Sequence, residues 1–66
     1  MPLIDISLAA GRDAQQVRAL ISEVHRAVRD SLGVPDERIR VLVREVPPTH
    51  WAAGDVTLQE RTEQSA

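Results

Sequence analysis

Apolar and other residues alternate from the start of the chain: Ile4, Ile6 and Leu8 fall on one side of an extended backbone, Leu3, Asp5 and Ser7 on the other. That period of two predicts a β-strand over 2–8 with one buried face. Gly11 breaks the pattern, and Asp13 with Gln16 three residues on supplies an N-cap and its capping-box partner. Val17, Leu20, Ile21, Val24, Val28 and Leu32 then recur at helical spacing, while Arg18, Glu23, Arg26, Arg29 and Asp30 mostly face away. The stripe predicts an amphipathic helix of about five turns. Gly33 is placed to end it, Pro35 cannot continue it, and 35–37 reads as a turn or a single helical turn. A second period-two run over 39–46 sets Ile39, Val41 and Val43 against Arg40, Leu42, Arg44 and Val46. Pro47 and Pro48 end it, Gly54-Asp55 is a turn signal, and the polar stretch 59–66 is expected to be loose.

Strand, helix and strand make a βαβ unit, whose right-handed crossover sets the strands parallel with the helix on one face. The expected fold class is therefore α/β, with 1–66 a single domain. The other face of the sheet is left bare, and another copy of the chain is expected to cover it. Size points the same way, because a domain of 66 residues lies below the range where one core gives comfortable stability. The chain has no Cys and only His25 and His50, so disulfides are excluded and a metal staple is poorly supplied. No metal and no cofactor is expected; oligomerisation is the staple that remains. Trp51 is the sole aromatic residue, so the core has to be aliphatic. Eight Arg and no Lys are offset by ten acids, for a net charge of -2 without a basic run, which argues against nucleic acid. Residues 1–10 lack a basic leader and no apolar run approaches membrane length, so the expectation is a cytoplasmic protein with no membrane partner.

Pro2 carries the chemical interest. Inside a chain the proline nitrogen is a tertiary amide, but once Met1 is removed it becomes a secondary amine that can take and return a proton. Removal of Met1 ahead of so small a residue is the expectation on which this reading depends.

The order Pro2, Gly11-Arg12, a capped helix, Ile39-Arg40-Val41, then Trp51 and Gly54 resembles the 4-oxalocrotonate tautomerase family, over roughly 2–54. The resemblance implies a short βαβ protomer with a C-terminal hairpin, pairing into dimers and a hexamer, and catalysis without a cofactor. It implies an isomerase for a small anionic unsaturated 2-hydroxy or 2-keto acid. Pro2 would be the general base, Arg12 would hold a carboxylate, and Arg40 would bind a carboxylate and draw charge onto the keto oxygen. Trp51 would stand where the family has an apolar aromatic residue. An apolar wall and nearby guanidinium groups both lower the pKa of a proline amine, as a base at neutral pH requires. Arginine stays charged and grips a carboxylate with two hydrogen bonds. A homo-oligomer is expected, with a hetero-oligomer as the alternative.

The chain also departs from the pattern. Ala52-Ala53-Gly54-Asp55 stands where the family has a glycine-rich hairpin, preceded by Pro47-Pro48. The related trans-3-chloroacrylic acid dehalogenases carry a water-activating glutamate where this chain has Ala53 and an extra arginine where it has Ala9, so a hydratase or dehalogenase is the weaker alternative. A non-catalytic assembly subunit is another. Each residue has a structural reading as well: Pro2 as the start of an edge strand, Arg12 as a loop charge, Arg40 in a salt bridge with Glu45 or another subunit, and Trp51 as core or subunit contact. His25, at the edge of the apolar stripe, reads as structural, and His50 carries little. Ser7, His25 and Asp5 lack the nucleophile elbow of a triad, and Arg44 has no role in the pattern.

Overall fold

The computed structural model describes residues 1–64. Strand β1 (Leu3–Ala9) and strand β2 (Arg40–Val46) are joined through helix α1 (Ala14–Leu32) and a 3-10 turn (Asp36–Arg38). The strands pair in parallel, with Ile4 beside Val41, Ile6 beside Val43 and Leu3 beside Arg40. The expected βαβ unit is therefore present. Ile4, Ile6, Leu8, Val41 and Val43 are half-buried while Leu3, Asp5, Ser7, Leu42 and Arg44 are exposed, so the strand periodicity sorts into a helix-covered face and an open one.

The ends of α1 follow from its sequence. The Asp13 side chain accepts the Gln16 N–H at 2.8 Å, and the Gln16 side chain accepts the Asp13 N–H at 3.1 Å, closing the capping box. At the other end Gly33 takes a left-handed φ of 65° and donates its N–H to the Arg29 carbonyl, a conformation that costs other residues a Cβ clash.

After β2 a second 3-10 turn (Pro48–His50) leads into a small antiparallel hairpin of β3 (Ala52–Ala53) and β4 (Val56–Thr57). Gly54 and Asp55 have φ of 61° and 63°, the paired left-handed conformations of a type I′ turn. Asp tolerates this region through its short polar side chain. The alanines thus leave a tight hairpin in place. The stretch from 59 does not match the expectation of a loose tail: Leu58–Gln64 forms helix α2, and residues 65–66 lie outside the described part. Its cause is a second capping box, in which the Glu60 side chain accepts the Thr57 N–H at 2.8 Å and Thr57 Oγ1 accepts the Glu60 N–H at 3.1 Å. The Leu58 N–H also donates to the Trp51 carbonyl, tying α2 to the hairpin.

What the protomer lacks is a closed interior. Among the described residues the only buried hydrophobic residue is Ile39, 8% exposed, whereas Leu3 is 63% and Leu42 43% exposed. The chain measures 45 × 25 × 15 Å with a radius of gyration of 15.3 Å, against about 11 Å for a compact domain of this length. No helix among the described residues is long and apolar enough to cross a membrane.

Candidate active site

Pro2 immediately precedes β1 and is half-buried. Its carbonyl accepts the backbone N–H of Arg40 at 3.0 Å, so the parallel register sets these two residues side by side at one end of the sheet. The Arg40 guanidinium turns toward the preceding 3-10 turn, where Nη1 donates to the Glu37 carbonyl at 2.6 Å. That bond uses one of five donors, so the fork keeps capacity for an anion. Glu45 sits opposite Leu8, on the helix-covered side of β2, so it is not on the Arg40 face.

Arg12 and Trp51 lie at the other end. Arg12 follows β1 beyond Gly11, whose φ is 131°, and its Nη1 donates back to the Ala9 carbonyl at 2.9 Å. Trp51 follows β2, whose final residue Val46 is paired with Ala9. Since β1 runs from Leu3 to Ala9, the ends are about 20 Å apart. One copy therefore brings together Pro2 and Arg40 but leaves Arg12 and Trp51 distant from them. A site using all four has to draw on more than one copy.

Arg44 finds its partner in Asp5. On the open face Arg44 Nε donates to Asp5 Oδ1 at 3.0 Å and Nη2 to Oδ2 at 3.1 Å, a two-pronged cross-strand pair. The pair holds the Asp5 carboxyl below its ordinary range, chiefly through the hydrogen bonds from Arg44, and raises Arg44 for the same reason. His25 Nε2 lies 3.0 Å from Asp36 Oδ1, joining α1 to the first 3-10 turn, in keeping with its structural reading. With Asp5 engaged by Arg44 and His25 by Asp36, no triad with Ser7 forms. A depression of about 410 Å³ between α1 and β2 is lined by Ile21, Ile39 and Val41 with Arg18, His25 and Arg29 among its rim. It contains none of Pro2, Arg12, Arg40 and Trp51, and so is distinct from the candidate site.

Comparison with known proteins agrees with this fold. A family model described as "Tautomerase enzyme" matches residues 2–61. A probable tautomerase of Ralstonia nicotianae is 41% identical over 56 residues, covering 85% of this chain and 80% of the relative. A 2-hydroxymuconate tautomerase of Comamonas testosteroni is 33% identical over 60 residues, covering 91% and 95%. Among solved structures, TomN, a 4-oxalocrotonate tautomerase homologue of the tomaymycin biosynthetic pathway, superposes with a TM-score of 0.94 at 38% identity, covering 98% of this chain and all of that one. A heterohexameric 4-oxalocrotonate tautomerase from Chloroflexus aurantiacus gives a TM-score of 0.85 at 33% identity, covering 91% and 97%. The βαβ protomer with its C-terminal hairpin is thus shared with solved tautomerases, and the chain belongs to the 4-oxalocrotonate tautomerase family of the tautomerase superfamily, a family of isomerases.

Proposed function

We propose that the protein is a cofactor-independent tautomerase that moves a proton within an unsaturated 2-hydroxy or 2-keto acid, with the Pro2 amine as general base. The observation that carries this reading is the placement of Pro2, half-buried at the mouth of β1 and bonded through its carbonyl to Arg40. Met1 is 79% exposed and precedes the first paired residue, so its removal frees the ring nitrogen without breaking a sheet hydrogen bond. The amine then takes a proton from the enol oxygen or an adjacent carbon and returns it further along the conjugated system. Arg40, beside Pro2, binds a carboxylate and stabilises the charge that develops on the keto oxygen. Arg12 holds the other end of the acid and Trp51 forms an apolar wall, both contributed by a neighbouring copy. Wall and guanidinium groups together disfavour the protonated amine and bring its pKa toward neutrality.

The assembly is an oligomer, with a hexamer the favoured form, as in the heterohexameric relative. A single buried hydrophobic residue among the described residues supports it, since so little core does not sustain a domain in water. The protein is read as cytoplasmic. A hydratase or dehalogenase is less well supported, because the Ala53 and Ala9 methyl groups can neither activate water nor bind an anion. Two measurements test the reading. Intact mass of the untagged protein should be lower by one methionine; full retention makes Pro2 an amide and leaves a non-catalytic subunit. Pro2→Ala should slow ketonisation of 2-hydroxymuconate and phenylenolpyruvate by about 10²–10⁴-fold with assembly unchanged. Undiminished rates would remove Pro2 from the chemistry.

A further inference from the structure

The 3-10 turn that leads into β2 (Asp36–Arg38) has little of its own to hold it. Its backbone bonds run from the Arg38 N–H to the Pro35 carbonyl and from the Ile39 N–H to the Asp36 carbonyl, both 3.1 Å, and no side chain caps its start. Three residues in 3-10 geometry are weakly stabilised alone. Yet the Glu37 carbonyl in this turn receives Arg40 Nη1 at 2.6 Å, so the position of the turn decides where that guanidinium points.

His25 ties the turn to the middle of α1, a helix capped at both ends. Its Nε2 lies 3.0 Å from Asp36 Oδ1. An ionised carboxylate only accepts, so Nε2 donates and carries the proton whether the ring is charged or neutral. The imidazole also lines the same depression as Ile39, the buried residue that follows the turn. Arg29 stands farther off, with Nη1 3.9 Å from the same Asp36 oxygen and Nε bonded to Asp30 at 3.0 Å. His25 is therefore the nearer support, and it reaches the turn from a rigid element.

We propose that His25 and Asp36 are positioning residues for Arg40. The bond between them fixes the turn, the turn fixes the Glu37 carbonyl, and that carbonyl aims the Arg40 guanidinium at the substrate. A long side chain held before the anion arrives loses less freedom on binding it. This role rests on the reading of Arg40 given above and adds the residues that orient it from outside the site.

Kinetics of 2-hydroxymuconate ketonisation in a double-mutant cycle separate positioning from general damage. His25→Leu and Asp36→Ala should each lower kcat/KM about three- to fivefold, the scale of an exposed ion pair, and His25→Gln, which keeps an N–H donor, should recover most of the loss. Arg40→Ala should itself slow the reaction, and in that background His25→Leu should change kcat/KM by less than about 1.5-fold, because no guanidinium is left to aim. A second readout needs no turnover: nitrogen-15 NMR of the arginine side chains should show the Arg40 Nη groups rotating faster in His25→Leu than in the wild type. Where His25→Leu does not assemble as the wild type does, Asp36→Ala, on the exposed turn, carries the same test. Unchanged kcat/KM or unchanged Arg40 signals in these variants overturns the proposal, and so does an equal loss in the Arg40→Ala background. Should Arg40→Ala itself leave turnover intact, the reading of Arg40 as a substrate-binding group falls instead, and the NMR comparison still decides whether His25 orients its side chain.

Discussion

At the scale of residues, the candidate site depends on what each side chain is bonded to. Arg40 and Arg12 each give one N–H to a backbone carbonyl, of Glu37 and Ala9 respectively. Those bonds orient the guanidinium groups and leave most of their donors for an anion. Arg44 differs: its fork is engaged by the Asp5 carboxylate, so it braces the sheet face. The consequence for pH has a definite sign. Asp5 is depressed below its ordinary value of 3.8 by the Arg44 hydrogen bonds, so its contribution to stability is complete above that value. It is lost as pH falls below 3.8 through the depressed folded-state value. An NMR titration of the Asp5 carboxyl should show a midpoint below the ordinary one, and Arg44→Gln should move it upward. A midpoint unmoved by that substitution would mean the pair does not persist in solution.

At the scale of elements, legibility followed the strength of local signals. Alternation around Ile4, Ile6 and Leu8 marked β1, and Asp13, Gln16 and Gly33 marked both ends of α1, because capping and periodicity act within a few residues. The Gly54-Asp55 signal also matched, as a type I′ turn. The miss was α2, although Thr57-Leu58-Gln59-Glu60 is itself a capping-box sequence ahead of a polar run. Polarity alone suggests looseness, whereas the cap and the Leu58 bond to Trp51 hold the helix. Seven residues are too few for a helix to persist on propensity alone, so the cap should matter strongly. Thr57→Ala should cost about 1 kcal/mol locally and accelerate hydrogen exchange of α2 amides about fivefold, with α1 unaffected. Glu60 adds an acid limit to the same element. Its carboxyl is held below the ordinary glutamate range, first by the backbone N–H of Thr57, so the α2 cap is intact above that range and is lost as pH falls through the depressed value. Exchange in α2 that ignored both Thr57→Ala and acid would refute this account of the helix.

At the scale of the whole molecule, the βαβ unit was legible and the site only partly so. Pro2, Arg12, Arg40 and Trp51 could be singled out one by one, yet nothing in their spacing shows that β1 holds Pro2 and Arg12 about 20 Å apart. Distance between the ends of a strand is a property of the folded chain, and local spacing in the sequence does not encode it. The same incompleteness governs stability. With Ile39 the sole buried hydrophobic residue among the described residues, and Leu3 and Leu42 open to water, that exposed apolar surface can be removed from solvent only by association. Folding and assembly are then coupled, and mass action makes the midpoint of unfolding depend on concentration. Thermal unfolding followed by circular dichroism over a hundredfold range of protein concentration should therefore show Tm rising steadily with concentration. Ile39→Ala should lower the whole series by removing the one interior anchor, at a cost of about 3 kcal/mol, while preserving its slope. A Tm independent of concentration, with dissociation preceding any loss of helix, would instead mean that the protomer folds alone and that its open face is not required for stability.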